Sequence, residues 1–79
     1  MRTSVSKTEP IRAVAVWFDT EMMHVRLQDE RVVSIPLGWF ARLKDASPGQ
    51  RENWRFLGGG IGIHWPDLDE DISVPALLK

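Results

Sequence analysis

The sequence predicts a small α+β domain: an antiparallel sheet, built from a three-strand N-terminal meander plus a later strand, with two or three short helices. Two observations carry this. Through residues 11–35, β-branched and aromatic residues cluster in short runs or alternate with polar ones, separated by polar turns. From Leu37 onward the apolar spacing becomes helical, and helix-start residues appear at Ser47 and Ser73.

The elements follow in order. Residues 11–18 read IRAVAVWF, a nearly continuous apolar run that suits a strand covered on both faces over part of its length. Asp19, Thr20 and Glu21 form a turn. In residues 22–27, Met23, Val25 and Leu27 alternate with His24 and Arg26, the pattern of a half-buried strand. Gln28, Asp29 and Glu30 make a second turn, and residues 31–35 a third strand closed by Pro36. Connections this short join antiparallel neighbours. Leu37, Phe40 and Leu43 then predict one helix over residues 37–44. Ser47, Pro48 and Gln50 predict a capped helix over residues 48–54, with Gln50 at the capping-box position. Phe56 and Leu57 read as a short strand or an extended approach. After three consecutive glycines, Ile61, Ile63 and Trp65 alternate with Gly62 and His64 as a later strand, with those three facing the core. Pro66 and Asp67 break that strand, residues 67–71 form an acidic segment, and Ser73 reads as the cap of a last helix over residues 74–78.

Composition narrows the classes of function. At 79 residues the chain holds one domain, expected over residues 11–79, behind a polar, flexible arm over residues 1–10. Apolar residues make up 43% and charged ones 27%, a globular balance rather than a disordered one. There is no cysteine, so disulfides are excluded, and two histidines without cysteine make a structural zinc site a poor fit. A formal net charge of -1 lacks the footprint of a strong nucleic-acid binder. The N-terminus has no apolar stretch of the kind a secretory leader needs, and no run reaches the ~20 residues that span a bilayer, so a cytoplasmic location is expected. Four tryptophans, Trp17, Trp39, Trp54 and Trp65, are many for this length. Large rings let a short chain build a core, and the same rings serve on binding surfaces.

Several segments invite chemistry. The glycines from Gly58 to Gly62 fail the dinucleotide pattern, which needs glycine at Ile63 or Trp65. The acidic stretch spaces carboxylates as a calcium loop does, yet Ile72 and Leu78 stand where that loop needs glycine and glutamate. No cofactor or metal is expected. His64 with Asp67 or Asp69 offers a general base, without a nucleophile at motif spacing. His24 reads as structural on an exposed strand face. Arg42, Lys44, Arg51 and Arg55, interleaved with Trp39 and Trp54, offer a basic and aromatic strip diluted by Asp45 and Glu52.

Three runs resemble one family. Residues 35–43 (IPLGWFARL), 46–54 (ASPGQRENW) and 60–74 (GIGIHWPDLDEDISV) are similar, in order and spacing, to motifs of the prokaryotic domain-of-unknown-function family 2442. The resemblance covers residues 11–78. The family often has glycine in the turn before the third strand, where Asp29 and Glu30 stand here, and a polar residue in place of Gly38. The resemblance implies a small sheet with short helices and no settled activity. Some relatives carry an added helix-turn-helix domain, for which a chain ending at Lys79 leaves no room. Others sit in gene pairs resembling toxin–antitoxin modules. In the last motif, Ile61, Ile63 and Trp65 are expected in the core. Asp69, Asp71 and Ser73 are expected to fix the following turn through backbone amides, and Arg42 or Arg51 to pair with Asp69 or Asp71.

The leading functional expectation is therefore a non-catalytic protein-interaction or regulatory module, antitoxin-like or accessory, with Trp39, Phe40, Arg42, Arg51 and Trp54 as its surface. The segment holding His64, Trp65, Asp69, Asp71 and Ser73 is expected to be structural. A homodimer through Met22–Leu27 as an edge strand is a variant. A nucleic-acid-binding regulator and an enzyme using His64 are the alternatives.

Overall fold

The computed structural model describes residues 11–78, so the arm over residues 1–10 lies outside the described residues. Strands β1 (Ala13–Phe18), β2 (Met22–Leu27) and β3 (Val32–Pro36) form the expected antiparallel meander, in the order β1-β2-β3. Because β2 is the middle strand, Met22–Leu27 offers no edge to a second molecule, and the homodimer variant through it fails on topology. Period-two alternation puts Met23, Val25 and Leu27 inside, all at most 1% exposed. β1 departs from strict alternation. Ala13 faces Leu27 and Ala15 faces Arg26, leaving Val14 as an extra residue in a bulge. The bulge lets Ala13 and Val16, three apart, both face the core.

The expected single helix over residues 37–44 is broken. Leu37–Trp39 is a 3-10 turn, Phe40 is extended at φ -129° and ψ 95°, and α1 covers only Ala41–Lys44. The first turn closes by a bond from the Phe40 N–H to the Leu37 carbonyl at 2.9 Å, and no side chain caps it. Gly38 adds no helix propensity to prolong it. Helix α2 (Pro48–Glu52) starts as predicted. The Gln50 N–H donates to Ser47 Oγ at 3.2 Å, and the Ser47 N–H donates to Gln50 Oε1 at 3.0 Å.

The later strand is the centre of a second meander, β4 (Arg55–Leu57), β5 (Gly62–Trp65) and β6 (Glu70–Ser73), ordered β4-β5-β6. The acidic segment, for which the sequence predicts no strand, supplies the start of β6: Asp69 turns the chain at φ 51°, and Ile72 packs inside opposite Ile63. α3 (Val74–Leu77) follows directly. Ser73 stands at its N-cap position but makes no capping bond with its side chain; Pro75 in the first turn starts the helix instead.

One core joins both sheets. Met23, Val25, Leu27, Leu43, Ile63, Trp65 and Val74 are the largest fully buried side chains. The Ala13 N–H donates to the Gly60 carbonyl at 2.8 Å and ties the first sheet to the second, Trp65 Nε1–H donates to the Arg51 carbonyl at 2.9 Å and ties β5 to α2, and the Val74 N–H, bonded to the Ile61 carbonyl at 2.8 Å, extends the β5–β6 pairing. Arg12 adds a clasp from its guanidinium to the Gly58 carbonyl.

Candidate functional site

The five residues expected to form an interaction surface divide into one exposed ring and four with structural duties. Trp39, the last residue of the 3-10 turn, is 70% exposed. Its neighbour Phe40, released from helical geometry, packs half-buried against the core. Trp54 is also half-buried and lies against Phe56, ring centroids 4.8 Å apart. Arg42 donates to the carbonyls of Asp69 at 2.7 Å and Leu68 at 3.3 Å. It thus joins the two halves as expected, but through backbone oxygens rather than the Asp69 or Asp71 carboxylates. Arg51 donates to the carbonyls of Leu43 at 2.7 Å and Lys44 at 2.8 Å, satisfying the end of α1.

The turn carrying Trp39 is well anchored. Leu37 is 3% exposed, and its N–H donates to the Glu21 carbonyl at 2.9 Å. Pro36 at the end of β3 fixes one backbone angle at the entry. The ring is therefore held out from a rigid base.

The histidine-bearing segment is arranged differently from expectation. Register places His64 opposite Asp71, and His64 Nδ1 bonds the Asp71 carboxylate. Asp67 instead accepts from Asn53 Nδ2 at 3.0 Å, and Asp69 holds the turn by its backbone conformation and carbonyl. The pairs that the catalytic alternative needs are not brought together. Nor do Asp69, Asp71 and Ser73 bond backbone amides with their side chains among the described residues. Trp65 is fully buried as expected, with Ile63, whereas Ile61 is half-exposed. Ile61 lines an open, mostly apolar depression of about 350 Å³ with Leu57, Gly62 and Ile72, which Asp71 borders and His64 does not.

Sequence reasoning missed one constellation, on the outer face of the first sheet. Cross-strand register aligns Trp17, His24 and Ser34. His24 Nε2 lies 2.8 Å from Asp19 Oδ2, its Nδ1 lies 2.7 Å from Ser34 Oγ, and its ring stacks on Trp17 at 5.5 Å. The Arg26 guanidinium sits 5.9 Å from the centre of the Trp17 ring. The His24 contact, with the Glu21 and Met22 backbone N–H groups, lowers the Asp19 pKa to about 2. The sequence hint was residue parity: in a hairpin with a two-residue turn, positions 17 and 24 face each other. Asp19, but neither His24 nor Ser34, lines a second depression of about 320 Å³ between the β1–β2 turn and α2. Ser34 lines neither depression, and the three side chains brace the sheet.

Among the described residues no group of His, Asp and Glu is placed to hold a metal ion, and no helix is long and apolar enough to cross a membrane.

Comparison with solved structures finds the same fold in uncharacterised proteins. A protein of unknown function from Rhodospirillum rubrum is 30% identical, with 89% of this chain and 87% of that one aligned at a TM-score of 0.75. An uncharacterized protein from Chromobacterium violaceum, known from a solution NMR structure, is 20% identical and shares the fold at a TM-score of 0.71. That match covers 85% of this chain and 63% of the other. Among curated proteins none matches. The family model for DUF2442, described as a protein of unknown function, matches residues 13–79, so this chain belongs to the DUF2442 family.

Proposed function

We propose that this chain is a cytoplasmic, non-catalytic protein-interaction module whose partner closes over Trp39, in the role of the antitoxin-like or accessory member of a two-gene pair. One observation carries the reading: a chain that buries Trp65 completely leaves Trp39 70% exposed on a rigid turn. Tryptophan is the residue most enriched among binding hot spots, and desolvating such a ring is worth ~2 kcal/mol or more. The anchored turn has little freedom left to lose when a partner binds.

Two observations weigh against a nucleic-acid partner. Arg42 and Arg51, half of the basic strip, spend donors on backbone carbonyls. The net charge is -1. Against the catalytic alternative, His64 and Asp71 sit on an open surface, their side chains 30% and 68% exposed.

The test is affinity capture from native lysate at low and moderate salt, with the parent chain and Trp39→Ala side by side. One stoichiometric protein held at both salts by the parent and lost by the variant supports the reading. Equal capture by both chains, or nucleic acid recovered at low salt alone, refutes it.

A further inference from the structure

Four strands form the sheet edges: β1 and β3 in the first sheet, β4 and β6 in the second. An unpaired edge is a template for another strand, and native chains blunt their edges with short strands, charges, proline or bulges. Three of these four are blunted. β4 has three residues and carries Arg55. β6 carries Glu70 and Asp71. β3 ends in Pro36 and runs straight into the 3-10 turn. β1 has six residues, AVAVWF, with no charge and no proline, and its bulge at Val14 leaves residues 15–18 as a regular, unblunted edge.

Its backbone groups are oriented for pairing. The Asp19 N–H donates to the Met22 carbonyl. Antiparallel alternation then makes Trp17, opposite His24, the next residue bonded to β2. Val16 and Phe18 therefore direct their N–H and C=O groups away from β2. No other described residue bonds them, the contact to Gly60 being confined to Ala13.

We infer that β1 pairs antiparallel with β1 of a second copy of this chain across a two-fold axis, joining two three-stranded sheets into one of six strands. The second copy is favoured over another strand donor because this edge is complementary to itself. Centred on Val16, the register sets Val16 against the second copy's Val16, in the orientation that exchanges two N–H···O bonds. Trp17 then faces the second copy's Ala15, so a large ring lies over a methyl group on each side of the axis. Trp17, 40% exposed in the single chain, becomes covered. No like charges meet, whereas β6 paired with itself would set acidic residues against acidic ones. An isologous contact of this kind closes at two copies.

The pairing uses no residue of the Trp39 surface, so the two readings fail separately. The test is sedimentation equilibrium of the full chain from micromolar to near-millimolar concentration, with amide exchange measured by NMR. The probe variant is Ala15→Glu. Ala15 faces Arg26 on β2, so the glutamate gains an opposite charge within the single chain. In the dimer its carboxylate lies beneath the second copy's Trp17. The parent should dimerise, with the Val16 and Phe18 amides protected. Ala15→Glu should keep its fold by circular dichroism and weaken association by roughly tenfold or more. A parent that stays monomeric at every concentration overturns the inference, whether those amides exchange fast or are protected by the chain's own first residues. So does a dimer that Ala15→Glu leaves intact. If Ala15→Glu fails to fold, the parent's mass and its Val16 and Phe18 amides decide alone.

Discussion

Gly60 sits at the joint between the sheets, and Gly60→Ala tests how far the fold depends on that joint. Its φ is +116°, and its carbonyl accepts the Ala13 N–H at 2.8 Å. A Cβ built there would lie 3.0 Å from the Ala13 nitrogen, 3.2 Å from Arg12 Cβ, and closer still to the Ala13 carbonyl oxygen. The backbone blocks it, so no side-chain rotation relieves the contact. A non-glycine residue held in so sparsely populated a conformation costs ~1–3 kcal/mol. Opening the joint to make room also forfeits a hydrogen bond worth ~0.5–1.5 kcal/mol. The sum, ~1.5–4.5 kcal/mol, is a large part of the ~4–12 kcal/mol expected of a chain this size. At ~4–8 °C per kcal/mol, the melting temperature should fall by roughly 6–36 °C. Urea and thermal denaturation followed by tryptophan fluorescence measure it. Gly38→Ala is the control, since a Cβ there meets nothing within 4 Å. A Gly60→Ala chain within ~0.5 kcal/mol of the parent, the scatter of an ordinary surface substitution, would refute the reasoning.

The remaining predictions concern strain, pH and the core. Glu30 has φ 77°, a left-handed conformation that costs an L residue ~1–2 kcal/mol, so Glu30→Gly should stabilise by about 1 kcal/mol in urea titration; a loss would contradict it. Asp19 is held at a pKa of about 2 against an ordinary 3.8 by His24 and two backbone amides. Because its pKa is lowered in the folded chain, it contributes stability that is present above the ordinary value and lost as pH falls toward the lowered one. Asp19→Asn should therefore be less stable at neutral pH and show a shallower loss of stability on the acid side; parallel pH profiles would refute this. Trp65, fully buried, should cost ~3–5 kcal/mol as Trp65→Ala. Trp65→Phe, which leaves the Arg51 carbonyl without its donor, should cost ~1–3 kcal/mol, and both are read from denaturation midpoints.

Features set by neighbouring residues were legible in the sequence. The first meander followed from alternation in residues 22–27 and from two short polar turns, and the α2 capping box from Ser47, Pro48 and Gln50. The glycine that the resemblance implies before the third strand would suit the left-handed backbone that Glu30 adopts at φ 77°. What escaped depends on distant partners. β6 has one buried residue, Ile72, among acidic ones, so its strand character comes from lying against β5. Arg42 and Arg51 read as partners for carboxylates because sequence shows charges and hides backbone carbonyls; they bind the carbonyls. The four tryptophans were alike on paper. The break at Phe40, which turns that ring inward and leaves Trp39 outside, is a tertiary choice that helical spacing across residues 37–44 masked.

The claim that Trp39 marks a docking surface is tested most directly by photo-crosslinking in living cells from position 38. Gly38 has open space around it, so a benzoylphenylalanine probe there stands beside Trp39 without touching the core. A second chain carries the probe at Glu30, on the β2–β3 turn. The account predicts one dominant protein adduct from position 38, absent from position 30 and lost when Trp39→Ala is added. No adduct from position 38, or the same adducts from both positions, would contradict it.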